Sequence, residues 1–238
     1  VPDANGDGAI NIDDVKYLIQ HDKNIATPLK GNGDFRSDEC IDLLKEADIV
    51  VTNPPFSLFR EYIAQLIEHD KKFLIIGSDN ARTYMDVFKH IQNNKLWSGY
   101  GRAKEFIQPD NTIKKFGNIG WYTNLDVKKR HEFITLYKKY NPEEYPKYFN
   151  YDAIEVGKVV NIPIDYDGLM GVPISFLDKY NPDQFEICGS SKTLGEPMSK
   201  LAEKGTYSPG GPRFYLPNED GTYRRLYDRI VIKHKNKI

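Results

Sequence analysis

Asn53-Pro54-Pro55-Phe56 is the stretch whose residue types and order are best suited to chemistry. The Asn53 side-chain carbonyl can accept a hydrogen bond. So can the backbone carbonyl of Pro54, because proline loses its N–H donor and keeps its acceptor. An amine conjugated to an aromatic ring is a poor nucleophile, since its lone pair is delocalised. Two acceptors, one on each N–H, draw such a nitrogen toward tetrahedral geometry and return the lone pair to it. The prolines fix the backbone, so both acceptors are in place before a substrate arrives. Phe56 then offers a π-face on which the aromatic ring bearing such an amine could stack. The competing reading is a rigid turn with Phe56 in the core.

A second constellation opens the chain. Residues 3–14 (DANGDGAINIDD) have the spacing of a calcium loop, with Asp3, Asn5 and Asp7 at positions 1, 3 and 5. Gly8 supplies the sharp turn at position 6, Ile10 the apolar position 8, Asn11 position 9 and Asp14 position 12. Two features count against calcium: Asp14 stands where a longer, bidentate Glu is usual, and the chain has no entering helix. An Asx-rich turn capping the next helix is the alternative. The five histidines are scattered without metal spacing. Two basic clusters, Lys128-Lys129-Arg130-His131 and Arg224-Arg225 with Arg229, Lys233 and Lys235, are candidates for phosphate contact or else solvated faces.

The elements that must position the tetrapeptide follow from periodicity. Residues 38–47 read as a helix capped by Ser37 or Asp38, and residues 48–52 (DIVVT) as a short buried strand that Pro54 and Pro55 must end. Residues 57–69 form an amphipathic helix, 73–76 (FLII) a second apolar strand, and 82–93 a further helix. This alternation predicts an α/β fold whose parallel sheet is covered by helices. The loops Asn53–Phe56 and Ser78–Asn80 would then lie at carboxyl ends of strands, where such sheets bind ligands. Residues 116–126 look extended. Beyond them Pro, Tyr and Asn recur, Ser199–Gly211 is rich in Gly and Pro, and the tail RRLYDRIVIKHK reads as a final strand. The expected division is therefore 1–28, 29–126 as a catalytic core, and 127–238 as a separate loop-rich region.

An Asn/Asp/Ser-Pro-Pro-aromatic turn is the signature of amino-group methyltransferases. The run GNGDFRSDECIDLLKEADIVVTNPPFSLFREYIAQLIEHDKKFLIIG resembles the EcoRI-type adenine-specific DNA methyltransferase family. So do GNIGWYTNLD, YNPEEYPKYFNYDAIEV, DYDGLMGVPISFLDKYNPDQFEICG and the tail RIVIKHK. The resemblance covers roughly residues 29–190 and the tail. It implies a Rossmann-like methyltransferase core with a C-terminal DNA-recognition region. It also implies transfer from S-adenosylmethionine to adenine N6 in double-stranded DNA, in a host-protection or restriction-modification setting.

The resemblance assigns Asn53, Pro54, Pro55 and Phe56 to catalysis. Asp34, 19 residues before Asn53, and Phe35 match the acidic-aromatic pair that holds the cofactor's adenine. Leu58 and Phe59 would line the same adenine, while Trp121 and Tyr122 would wall the flipped base. One departure stands out: the Phe-x-Gly-x-Gly turn that opens such enzymes is missing, and the order of the other motifs would put it before Val1. The chain therefore reads as a truncated core. A non-catalytic DNA- or calcium-binding remnant, or an amino methyltransferase acting on RNA or protein, are the alternatives.

Bulk composition excludes a simple basic nucleic-acid binder and leaves room for a local basic face. The net charge is −1 over 238 residues, so any nucleic-acid surface must come from charge distribution and not from the sum. Hydrophobic residues make up 39%, enough for a core. Cys40 and Cys188 are too few for a disulfide framework. No run approaches the ~18 apolar residues of a membrane span, and no secretory leader is visible. A cytoplasmic location and no membrane partner are expected.

Overall fold

In the computed structural model, which describes residues 3–21, 28–108 and 110–235, the chain forms two units, Val1–Ala47 and Asp48–Ile238. The first unit holds α1 (Ile12–His21) and α2 (Asp38–Glu46). Ser37 caps α2 as its sequence predicts, its hydroxyl accepting the Cys40 amide at 3.3 Å. Asp38 and Glu39 in the first turn and Lys45 in the last complement the helix dipole.

The second unit begins with β1 (Ile49–Thr52), a 3-10 turn at Phe56–Leu58, α3 (Phe59–Glu68) and β2 (Lys72–Ser78). A 3-10 turn at Asp79–Thr83, α4 (Met85–Gln92), β3 (Trp97–Arg102), the hairpin β4 (Glu105–Ile107) and β5 (Ile113–Lys115), and β6 (Ile119–Thr123) follow. These make a four-stranded sheet in the order β1-β2-β6-β3. β1 and β2 run parallel, with Thr52 beside Ile75. β6 is antiparallel to both β2 and β3, so the sheet is mixed and the expectation of a parallel sheet is corrected. β3, which follows α4, runs in the same direction as β1 and β2, and β6, which enters after the β4–β5 hairpin, is the strand that runs against them.

Burial in β2 alternates. Phe73 and Ile75 are fully buried, whereas Leu74 and Ile76 on the other face are half-buried. α3 contacts both β2 and α4, and Ile63, Leu66, Val87, Phe88 and Ile91 are buried. β1 is an edge strand. Ile49 is 51% and Val51 66% exposed, so the buried strand expected from its β-branched run is half solvated. Among the described residues no further strand pairs with its outer edge.

The remaining chain builds a second sheet from β7 (Ile154–Glu155), β8 (Met170–Pro173), β9 (Phe185–Ser190) and, after the hairpin β10 (Tyr215–Pro217) and β11 (Tyr223–Arg225), β12 (Arg229–His234). Its order is β7-β8-β12-β9. The tail predicted as a final strand thus lies inside the sheet, with Ile230, Val231 and Ile232 buried. α4 also touches β9. Among the described residues no helix is long and apolar enough to cross a membrane.

Candidate active site

Parallel pairing of β1 and β2 puts the Asn53–Phe56 turn and the Ser78–Asn80 loop at the same, carboxyl end of the sheet. Pro54 is buried and anchors the turn, while Asn53, Pro55 and Phe56 are exposed. The Leu58 amide is taken by the Pro55 carbonyl at 3.0 Å. No described residue donates to the Pro54 carbonyl, and the Asn53 side chain has no described partner. Both acceptors that the chemistry requires are therefore free. Phe56 is 41% exposed, available as a stacking face and not lost to the core.

Phe59 and Tyr122 behave differently from the expectation. Phe59 is 2% and Tyr122 1% exposed, and their rings meet edge-on at 5.0 Å. The Tyr122 hydroxyl donates to the Ser78 carbonyl at 2.7 Å, and burial pushes its pKa up to about 12. Neither ring opens onto a site. Both are core, because α3 lies against the Phe73–Ile75–Gly77 face of β2 and Tyr122 sits beside Ile75 on that face. Trp121, on the opposite face, is half-buried, as is Leu58.

Beside the Ser78–Asn80 loop lies a charge network that the sequence alone did not reveal. Arg82, 3% exposed, donates through Nη2 to Asp79 and through Nη1 to Asp178, each at 2.8 Å. Arg102 pairs with Asp79 as well and reaches Asp178 at 3.0 Å. Two arginines and two aspartates thus alternate around a ring. The Asp79–Arg82 spacing at i,i+3 was the local signal. Nothing local pointed to Asp178, 96 residues from Arg82.

In the first unit, Asp34 follows Gly33, whose φ of +76° suits a turn glycine. Its carboxylate accepts from Arg36 Nε at 3.0 Å and Nη2 at 2.7 Å. The Arg36 side-chain hydrogen bonds hold its pKa near 2, so it is an ionised acceptor. The Arg36 guanidinium also sits 5.5 Å from the Phe35 ring centroid.

The calcium-like loop is knit by its own side chains. Asp3 accepts the Gly6 and Gly8 amides, Asn5 that of Asp7, and Asp7 that of Ala9. Asp14 is fully buried and accepts the Ala4, Asn5 and Asn11 amides. These backbone bonds lower its pKa, the Asn11 amide most of all. The carboxylates act as Asx caps on the loop and on α1. Among the described residues no group of three or more His, Cys, Asp or Glu side chains is placed to hold a metal ion.

Of the basic clusters, two arginines are withdrawn from any phosphate role. Arg130 is 8% exposed, lies 3.7 Å over the Trp97 ring and donates to Asn94. Arg229 makes a bidentate pair with Glu155, whose carboxylate also receives the Tyr148 hydroxyl. Lys233 pairs with Glu186 at 3.1 Å. Lys128 and Arg224 are exposed.

An α/β sheet that carries a proline-locked Asn-Pro-Pro-Phe turn at the carboxyl end of β1 is the arrangement expected from the sequence of an amino methyltransferase. Residues 1–235 match the family model described as adenine-specific methyltransferase EcoRI, and the chain belongs to that family. It is 51% identical over 212 residues to the Type II methyltransferase M.EcoRI of Escherichia coli, covering 81% of this chain and 65% of that protein. To the Type II methyltransferase M.MgeORF184P of Mycoplasma genitalium it is 44% identical, covering 92% of this chain and 74% of that one. To M.MpnI of Mycoplasma pneumoniae it is 36% identical, with 89% and 72% covered. The chain spans about two thirds of the M.EcoRI length. No solved structure matches it.

Proposed function

We propose that the chain carries the catalytic and DNA-reading parts of an adenine-N6 DNA methyltransferase. One observation carries this reading most directly: Asn53 and the Pro54 carbonyl are both unpartnered among the described residues, in a turn that two prolines lock. The Asn53 carbonyl takes one N–H of the adenine amine and the Pro54 carbonyl takes the other, concentrating the lone pair on nitrogen. Phe56 stacks on the extruded base. Family membership supports adenine as the base, double-stranded DNA as the partner and restriction-modification as the setting.

When bound, S-adenosylmethionine supplies a methyl group on a sulfonium. Each unit is read by itself: in the first, Asp34 is an ionised acceptor suited to an adenine amine, with the Phe35 ring next to it in sequence, and in the second, Leu58 offers half-buried apolar surface at the start of α3. The four-stranded sheet is read as part of a Rossmann-like core, and residues 127–238 as the target-recognition region. Trp121 remains a candidate wall for the base.

The test uses the intact enzyme that carries this chain, with methyl-labelled S-adenosylmethionine and unmethylated duplex DNA, followed by nucleoside mass spectrometry. N6-methyl-2′-deoxyadenosine is the expected product. Asn53→Ala should cut transfer on the order of a hundredfold or more while duplex affinity stays within about twofold, because the turn touches one base among many contacts. Undiminished transfer by Asn53→Ala, or label in cytosine, would remove this assignment.

A further inference from the structure

A groove of about 540 Å³ opens between the segment after the Lys128–His131 turn and the end of the 3-10 turn Ile174–Asp178. Its walls include Lys129, Phe133, Thr135, Val160, Asp178 and Lys179, with Glu132 at its side. Phe133 is 68% exposed, yet its backbone is not loose. The neighbouring Ile134 gives its amide to Gln184 Oε1 and takes Gln184 Nε2 on its carbonyl, both at 2.8 Å. Gln184 is itself buried, so an aromatic ring is held toward solvent by a rigid strut.

The charge in the groove is set by which groups are already compensated. Both oxygens of Asp178 are engaged by Arg82 and Arg102, which neutralises that carboxylate. Lys129 is positioned by its amide on the Tyr100 hydroxyl and by Nζ on the Gly99 carbonyl, leaving two further Nζ donors. Lys179 is exposed and has no ion-pair partner among the described residues. Two cations, of which Lys129 is held in place, a hydroxyl and an outward aromatic ring face one uncompensated acid, Glu132. A phosphodiester strand has the complementary pattern, anionic at each phosphate and apolar at each base. The groove also borders Asp178, whose arginine partners brace Asp79 beside the Ser78–Asn80 loop at the candidate catalytic end of the sheet.

We propose that this groove seats the DNA strand flanking the target adenine, with Lys129 and Lys179 on phosphates and Phe133 stacked on a neighbouring base. The inference rests on the function proposed above and names the surface that would serve it. A duplex pool enriched by binding to the wild-type chain, labelled and followed by fluorescence anisotropy across a salt series, tests it. Lys179→Ala should weaken binding and lower the slope of log K against log salt by about one. Phe133→Ala should weaken binding about tenfold with the slope unchanged, and Phe133→Tyr should restore it. Glu132→Gln should tighten binding, and Lys16→Ala, in α1, should do nothing. All are exposed positions, and thermal unfolding checks that each variant folds.

If the wild type binds duplex and the groove variants bind equally well, the groove assignment is overturned and the proposed function stands. If the wild type binds no duplex, the proposed function fails and takes the groove with it. If Phe133→Ala instead dissolves a dimer in sedimentation and leaves DNA binding intact, the occupant is a second copy of the chain and the DNA assignment is wrong.

Discussion

At the scale of single residues, charge matters through what already surrounds it. Arg130, Arg229 and Lys179 are alike in a sequence, yet Arg130 is stacked on Trp97 and Arg229 is locked to Glu155, and only Lys179 faces solvent unpaired among the described residues. His131 is a third kind of case. Nε2 lies 2.6 Å from Asp126 and Nδ1 3.3 Å from Asp183. Only the protonated ring can donate to both. The Asp126 hydrogen bond, then that of Asp183, raises its pKa above the ordinary 6.5. A raised folded-state pKa stabilises the fold below the unfolded value, and that contribution is lost as pH rises through the folded one. Cleavage by limited proteolysis near the Lys128–His131 turn should therefore increase as pH climbs above about 6.5. His131→Gln should flatten that dependence. An NMR titration giving His131 a pKa at or below its ordinary value would defeat the argument.

At the scale of elements, the Asn53–Phe56 turn depends on how closely α3 approaches β2. A methyl group at Gly77 would clash with the Phe59 ring, and Phe59 cannot retreat because it is buried against Tyr122. Gly77→Ala should cost about 1–3 kcal/mol by overpacking. It should also push the first turn of α3, and Asn53–Phe56 with it, away from the sheet. Urea unfolding reads the loss, and pairing Gly77→Ala with Phe59→Leu should recover part of it. Full stability in the single variant would mean that α3 does not press on β2 as described.

Local signals made much of this layer legible from sequence. The Ser37 cap, the apolar spacing of α3, the FLII strand and the Pro-Pro stop are each written within a few residues of where they act. What failed depended on distant partners. β1 looked buried because β-branched runs fit any pleated surface, and its exposure follows from its place at the sheet edge. The resemblance sets Tyr122 beside the base, and an aromatic ring suits stacking and cores alike. Only the register of β6 on β2 turns Tyr122 inward beneath Phe59.

At the scale of the whole second unit, the Asp79–Arg82–Arg102–Asp178 ring is the densest polar tie between the two sheets among the described residues. Asp79, Arg82 and Arg102 come with the first sheet, and Asp178 comes from the chain between β8 and β9 of the second. Asp178→Asn keeps the shape and removes the charge, leaving Arg82, whose Nε is already unpaired and buried, with one carboxylate fewer. Because Asp178 is 28% exposed, the cost should be about 2 kcal/mol, below the range for a fully buried pair. The informative signal is cooperativity. Trp97 and Trp121 both belong to the first sheet, so tryptophan fluorescence follows that sheet while far-UV circular dichroism follows both. In the wild type the two transitions should coincide, as two-state unfolding requires. In Asp178→Asn they should separate, because the sheets would share less of their stability. Coincident transitions in the variant, at a lowered midpoint, would mean that α4 packing on β9 couples the sheets and that the ring only adds to the sum.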